Sequence, residues 1–266
     1  MKKIIFLSLA LGLVLTGAGC SSSGSGDITN TSTPAAYNSS TVQKEEVDGR
    51  VVVSITDSKV NSISGVSAVY VTVDKIEMHS AAKGWVIVSN ETNQYELLSL
   101  KAKGSLKLAA QTMVPEGTYN QVRLQVKKIE VVRNGKRSVA TVPSNTIELI
   151  GQFMVSHDST TSITVDFLVD QSLRTTGGGK FIFSPVIKIE SRANASVSIG
   201  PNNTVVVTGG RVDTDATMGM KLDGTMQDNF TLDAAGILEV ANDKIQVINS
   251  DKTKTQVNTA VTGGLR

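Results

Sequence analysis

The sequence predicts an all-β protein: an antiparallel β-sandwich (Greek-key or prealbumin-like) with a small C-terminal β appendage. Three observations carry this prediction. Short β-branched runs alternate with polar residues at a period of two, as Val69, Val71 and Val73 do with Tyr70, Thr72 and Asp74. Turn chemistry separates such runs at roughly 8–12-residue spacing. No long helical pattern occurs beyond the first twenty residues. With 40% hydrophobic residues in 266, the chain can build a real core. Its 26 Lys+Arg against 24 Asp+Glu argue against nucleic-acid binding, which needs a concentrated basic surface. One Cys excludes an intramolecular disulfide framework and a multi-cysteine zinc site. Two His leave little room for histidine-based catalysis.

Residues 1–19 read as an address. Lys2 and Lys3 precede an apolar run from Ile4 to Leu15. That run is shorter than the ~20 residues a spanning helix needs, and small residues follow it, as in a secretory signal. The segment resembles a bacterial lipoprotein signal: Ala18, Gly19 and Cys20 match the lipobox, while Gly17 stands where the pattern has Leu. The resemblance implies that Cys20 carries a diacylglycerol and, after cleavage, an acylated amine. A thiolate is nucleophilic enough for that transfer, and two or more chains anchor stably where one does not. Without Lys2 and Lys3 the chain is formally neutral, so the expected anchor is lipid and not a polybasic patch. Ser21 follows the Cys; by the same analogy, the absence of Asp there points to the outer membrane of a Gram-negative cell. Residues 20–47 are rich in Ser, Thr, Gly, Asn and Ala. Such a tether stays unpacked and reaches about 30 Å.

The domain expected over 48–192 is strand after strand. Val51-Val52-Val53-Ser54-Ile55 ends at Thr56-Asp57-Ser58. The apolar phase of Val69, Val71 and Val73 then jumps to Ile76 and Met78, which predicts a β-bulge near Asp74-Lys75. Trp85-Val86-Ile87-Val88 is a short strand. Between Tyr95 and Leu108, five leucines suit either a short helix or a buried crossing segment. Val114-Pro115-Glu116-Gly117 is a turn. Val122, Leu124 and Val126 alternate, and the shift to Ile129 and Val131 marks a second bulge at Lys127-Lys128. Asn134-Gly135 is the strongest hairpin signal of the chain. Ile163, Val165, Phe167 and Val169 alternate again. Thr175 to Gly179 is a flexible turn. Phe181, Phe183, Pro185, Ile187 and Ile189 share one face of the next strand, which Pro185 puts at an edge or a bulge.

Residues 193–266 are expected to form a small β-rich region, with strands near Val205–Thr208, Phe230–Leu232, Ile237–Val240, Lys244–Ile248 and Thr255–Asn258. No fixed internal repeat is visible.

A family resemblance rests on Val53-Ser54-Ile55-Thr56-Asp57, Val69-Tyr70-Val71-Thr72-Val73-Asp74-Lys75-Ile76-Glu77, Gly84-Trp85 and Tyr95-Glu96-Leu97-Leu98-Ser99-Leu100. It continues through Pro115-Glu116-Gly117-Thr118-Tyr119-Asn120-Gln121-Val122-Arg123-Leu124, Val165-Asp166-Phe167 and Pro185-Val186-Ile187. In this order the pieces resemble bacterial lipoproteins of a domain-of-unknown-function family, numbered 4382, over roughly residues 48 to 190. The resemblance implies a secreted, membrane-anchored β-domain and brings no catalytic residue with it.

Candidate ligand-binding residues are Trp85, Arg123 and Asp166. Exposed, the single Trp would stack on a sugar ring or a partner; the scarcity of aromatics favours a place in the core. Arg123 and Asp166 each sit between apolar neighbours on the polar phase of a strand. An Arg–carboxylate pair there would be structural or would orient an anion. His79 ends a strand, and Ser156-His157-Asp158-Ser159 is loop-like. Without a Gly-x-Ser-x-Gly elbow or His-Glu-x-x-His these do not announce a hydrolase. Asp213, Asp215 and Asp223 are weak calcium candidates that lack the EF-hand spacing; turn-forming Asp is the plainer reading. Gly177-Gly178-Gly179 joins strands and opens no helix, so no nucleotide site, and no cofactor, is expected.

The expected function is a membrane-anchored envelope lipoprotein with a non-enzymatic binding or structural role toward an envelope polysaccharide or a protein partner. One variant has exposed strand edges adding to a partner sheet. The alternative is a carboxylate-dependent hydrolase of envelope or extracellular polymers, since a catalytic pair needs only ~5–9 Å in space.

Overall fold

A computed structural model describes residues 47–57, 63–232, 237–241, 244–248 and 254–256. The expectations for the signal, Cys20 and the tether fall on residues 1–46, outside the described residues. The first half contains β1 (Asp48–Thr56), β2 (Val66–Ser80), β3 (Gly84–Ser89), β4 (Asn93–Glu96) and helix α1 (Leu97–Lys103). After it come β5 (Leu106–Pro115), β6 (Gly117–Arg133), β7 (Lys136–Val139) and β8 (Thr146–Val155). Next are β9 (Thr160–Phe167), the single turn α2 (Val169–Ser172), β10 (Leu173–Thr175), β11 (Phe181–Phe183) and β12 (Val186–Ala193). The chain continues through β13 (Ser196–Ile199), β14 (Thr204–Thr208), β15 (Arg211–Met220) and β16 (Met226–Asp228). It ends, among the described residues, with β17 (Ile237–Ala241), β18 (Lys244–Ile248) and β19 (Lys254–Gln256).

The fold is an all-β sandwich of two sheets. One runs β13-β14-β5-β1-β9-β12-β15-β16. The other runs β3-β2-β6-β7, with β4 also on β2 and β8 also on β6. Their inner faces share one core. Val51, Val53, Ile55, Ile163, Val165, Phe167, Ile187 and Ile189 come from the first sheet, and Val69, Val71, Ile76, Met78, Val122, Leu124, Ile129 and Val131 from the second. Outside the continuous run of β1, these positions were on the apolar phase of an alternating run, which is why the period of two translates directly into layers.

Both expected bulges form, and they face each other. Thr72 pairs with Lys128, Val73 with Val126 and Lys75 with Gln125, so Asp74 is extra on β2 and Lys127 is extra on β6. The register around the Val73–Val126 pair is symmetric. Glu77 lies opposite Arg123 and Glu130 opposite Tyr70, while Met78 meets Val122 and Val131 meets Val69. The flanking strands obey the same symmetry: β3 and β4 lie on β2 as β7 and β8 lie on β6. The six-stranded sheet is therefore two copies of one three-stranded unit. The pentapeptide Val73-Asp74-Lys75-Ile76-Glu77 recurs as Val126-Lys127-Lys128-Ile129-Glu130. This corrects the expectation that no internal repeat exists.

Local signals hold at the turns. Asn134 and Gly135 have φ of 50° and 76°, the two left-handed positions of a type I′ hairpin between Arg133 and Lys136. The leucine segment is helix α1, capped by Glu96 accepting from Leu98 N–H and closed by left-handed Gly104.

Four expectations change. β1 pairs antiparallel with β5 but parallel with β9, so the sheet is not wholly antiparallel. Its run from Val51 to Ile55 is buried on both faces, as a central strand requires. The strand expected across Pro185 is two strands, β11 and β12. β12 is interior, and Pro185 just before it contributes only its carbonyl, which accepts from Met220 N–H at 2.8 Å. Val169 starts α2 and does not prolong β9, although its side chain stays in the core. Lastly, most of the expected appendage is sheet: β15 pairs with β12, and β14 with β5. Only β17–β19 form a separate three-stranded meander, packed through Leu238, Val240 and Ile245 onto Ile182 of β11. Phe230–Leu232 is not a strand.

Deleting Lys127 removes one bulge and turns Ile129 and Val131 outward. The expected loss is about 3–6 kcal/mol, read from the urea midpoint; an unchanged midpoint contradicts the bulge's role in phasing the core.

Candidate functional site

The outer face of the six-stranded sheet carries the side chains that alternate with the core. Near the β2–β3 hairpin Trp85 points outward, 37% exposed, because Val86 and Val88 take the inward phase. This corrects its expected place in the core. The Arg123 guanidinium lies 3.7 Å from the Trp85 ring centroid, and His79 tilts against the ring at 5.0 Å. Arg123 Nε and Nη2 both donate to Glu77 Oε2, at 3.1 and 2.8 Å, and Lys75 Nζ reaches Glu77 Oε1 at 2.6 Å. Glu77 is only 4% exposed, yet it has a cation on each oxygen. Burial alone would raise its pKa; the hydrogen bonds and charges of Lys75 and Arg123 outweigh burial and hold the carboxyl below its ordinary range. His79 Nδ1 lies 3.0 Å from Asn120 Oδ1, and Gln121 donates to Glu148 at 3.2 Å.

The repeat builds a second station on the same face. Arg137 of β7 lies 4.1 Å over the Tyr70 ring. Glu130, 7% exposed, accepts from Gln94 at 3.1 Å and pairs with Lys128 at 3.1 Å and Arg137 at 3.8 Å. Gln94 also donates to Thr72 Oγ1 at 3.2 Å. In both stations a buried glutamate two residues after a lysine sits beneath a guanidinium that covers an aromatic ring. Ile87 and Val139, opposite Glu77 and Glu130 respectively, are exposed beside them. Sequence reasoning missed Tyr70, Glu77, Glu130 and Arg137. The one signal that leads to them is the recurrence of Val-x-Lys-Ile-Glu.

The other candidates lie elsewhere. Asp166 is on β9, on the outer face of the eight-stranded sheet, so it does not pair with Arg123. With Lys188 it lines two adjacent depressions of about 490 and 410 Å³; Asp215, Thr217 and Asp228 complete the first, and Thr164, Glu190 and Arg192 belong to the second. Asp213 and Asp215 lie within β15 and not in a turn: Asp213 binds Arg211 at 2.8 Å and Asp215 binds Lys188 at 3.0 Å. Asp223 does hold a turn, accepting from Thr225 N–H at 2.9 Å. The calcium candidates are not gathered: among the described residues no three metal-capable His, Cys, Asp or Glu side chains come together. His157 meets exposed Asp158 at 3.1 Å, whereas Ser159 donates to the Ser156 carbonyl, so this loop forms no nucleophile–base pair.

A family model described as a domain of unknown function (DUF4382) matches residues 48–185. The chain belongs to this family. The DUF4382 match takes in β1–β11, hence both copies of the repeated unit and both stations, and stops at Pro185. The strands that complete the eight-stranded sheet, β12 to β16, lie beyond it. No curated protein and no solved structure matches the chain.

Because the Glu77 pKa is lowered in the folded DUF4382 domain, its charge stabilises the fold above the unfolded value of about 4.3. That contribution disappears as pH falls through the lower folded value. Compared with Glu77→Gln, the wild type is therefore expected to lose urea stability more steeply as pH falls through the unfolded value of about 4.3 and below. Parallel curves for the two proteins would contradict the paired, charged state of Glu77.

Proposed function

We propose that this protein is a lipid-anchored binding component of the cell envelope, held through acylated Cys20 in the outer membrane of a Gram-negative cell. In this proposal it is not an enzyme. Its binding surface is the outer face of the six-stranded sheet, and its partner is an envelope polysaccharide or protein. The observation that carries the reading is the outward Trp85 beneath Arg123. A single Trp held at a solvent-facing position by a guanidinium, beside exposed Ile87, is costly surface for a protein with few aromatics. A rigid sheet face also suits recognition, since its side chains are ordered before a partner arrives. The lipobox-like Ala18-Gly19-Cys20 and the Ser-rich stretch behind it support the anchor.

Two measurements test this. Cys20→Ser should move the protein from the membrane to the soluble fraction; unchanged partition contradicts the anchor. Capture from native envelopes should retain glycan or protein with the wild type and lose most of it with Trp85→Ala, whose fold is checked by its urea midpoint. Equal retention by both would contradict the binding face.

A further inference from the structure

We infer that the two stations form one extended site for an acidic polysaccharide, with its anionic groups held at the second station. This rests on the outer face being the binding surface and assigns the ligand class.

The two stations differ in charge. At the first, Glu77 and Glu148 balance Lys75 and Arg123. What remains is Trp85, Ile87 and polar groups, a surface suited to sugar rings and hydroxyls. At the second, Lys127, Lys128 and Arg137 stand against Glu130 and, across from Tyr70 on β4, Glu96, and Arg133 and Lys136 flank the turn of the same hairpin on the other strand phase. Lys127, Lys128, Lys136 and Arg137 are all exposed. The near-neutral whole chain thus conceals a local cationic surface, which raises the concentration of anions beside it. Arg137 makes no hydrogen bond with the described residues and sits 3.8 Å from Glu130, so its guanidinium N–H groups remain for a carboxylate, sulfate or phosphate oxygen.

The spacing suits a polymer. From the Tyr70–Glu130 pair to the Glu77–Arg123 pair, with Asp74 taken up by the bulge, is about 20 Å along the strands. Gln94, Thr72 and Gln125 fill the span on the same face, with Thr146 hydroxyl donating to Gln125 at 2.9 Å. A ring at each end, amides and hydroxyls between, and surplus cations at one end match a linear chain of sugars bearing acidic groups. A lipid headgroup would use the cations and leave the Trp85 station idle.

The test uses the full mature chain in detergent and a length series of oligouronates. Neutral oligoglucosides of equal length and vesicles containing phosphatidylglycerol are the comparisons. Affinity should rise by about tenfold or more once the oligouronate spans both stations, and fall with added salt. Arg137→Gln, an exposed substitution, should weaken the long oligomer about tenfold, and Arg137→Lys should restore only part of that loss. Trp85→Ala should remove the gain from length. Equal binding of neutral and acidic oligomers, an unaffected Arg137→Gln variant, or vesicle binding that matches the oligouronates and ignores Trp85→Ala would overturn the inference. If those results came with face-dependent capture from envelopes, the acidic-polysaccharide assignment would fall while the binding face stood. With no capture either, both would fall.

Discussion

Strand phase is the constraint on which this molecule depends. In a β-strand neighbouring residues face opposite ways, so a 15-residue β2 paired with a 17-residue β6 has one chance to keep its apolar set inward. The opposed bulges at Asp74 and Lys127 reset the phase of both strands at the same level of the ladder. Inward, this keeps Val71, Val73, Ile76, Val126 and Ile129 in one core. Outward, it places Glu77 and Glu130 where cations from the next strand can cover them. The same two extra residues therefore shape both the core and the charged surface.

Each buried glutamate works as a junction. Glu77 takes Arg123 on one oxygen and Lys75 on the other; Glu130 gathers Lys128, Arg137 and Gln94. An isolated carboxylate at 4% exposure would be strongly destabilising. Paired, it fixes a long arginine side chain over a ring, and so organises surface groups that would otherwise be mobile.

How far the sequence was legible follows from the range of the interactions involved. Bulges, the Asn134-Gly135 hairpin and the core phase are local, and the residues announced them. The parallel β1–β9 pair was not legible, because β1 looks the same whichever direction its neighbour runs. β15 was hidden by Asp213 and Asp215, which read as turn residues until Arg211 and Lys188 are placed beside them. Trp85 was misjudged on composition, although Val86 and Val88 already marked the other phase as inward. Arg123 was recognised as a polar-phase residue but given the wrong carboxylate: Asp166 lies on the other sheet, and only the β2–β6 register reveals Glu77. The repeat escaped because five residues are a faint echo until the pairing sets them about an axis.

The lengths of the outermost strands have a colloidal consequence. β13 has 4 residues, β16 3, β3 6, β4 4 and β7 4, with β8 the longer exception at 10, whereas the interior β2 and β6 have 15 and 17. Open backbone at a sheet's rim is an invitation to fuse with a neighbouring molecule, and a short rim offers few hydrogen bonds to that end. Most of the rim therefore gives crowded copies little to zip onto, and along β8, its one long stretch, the Ile150 and Gln152 N–H groups are already taken by the Met218 sulfur and the Thr214 hydroxyl.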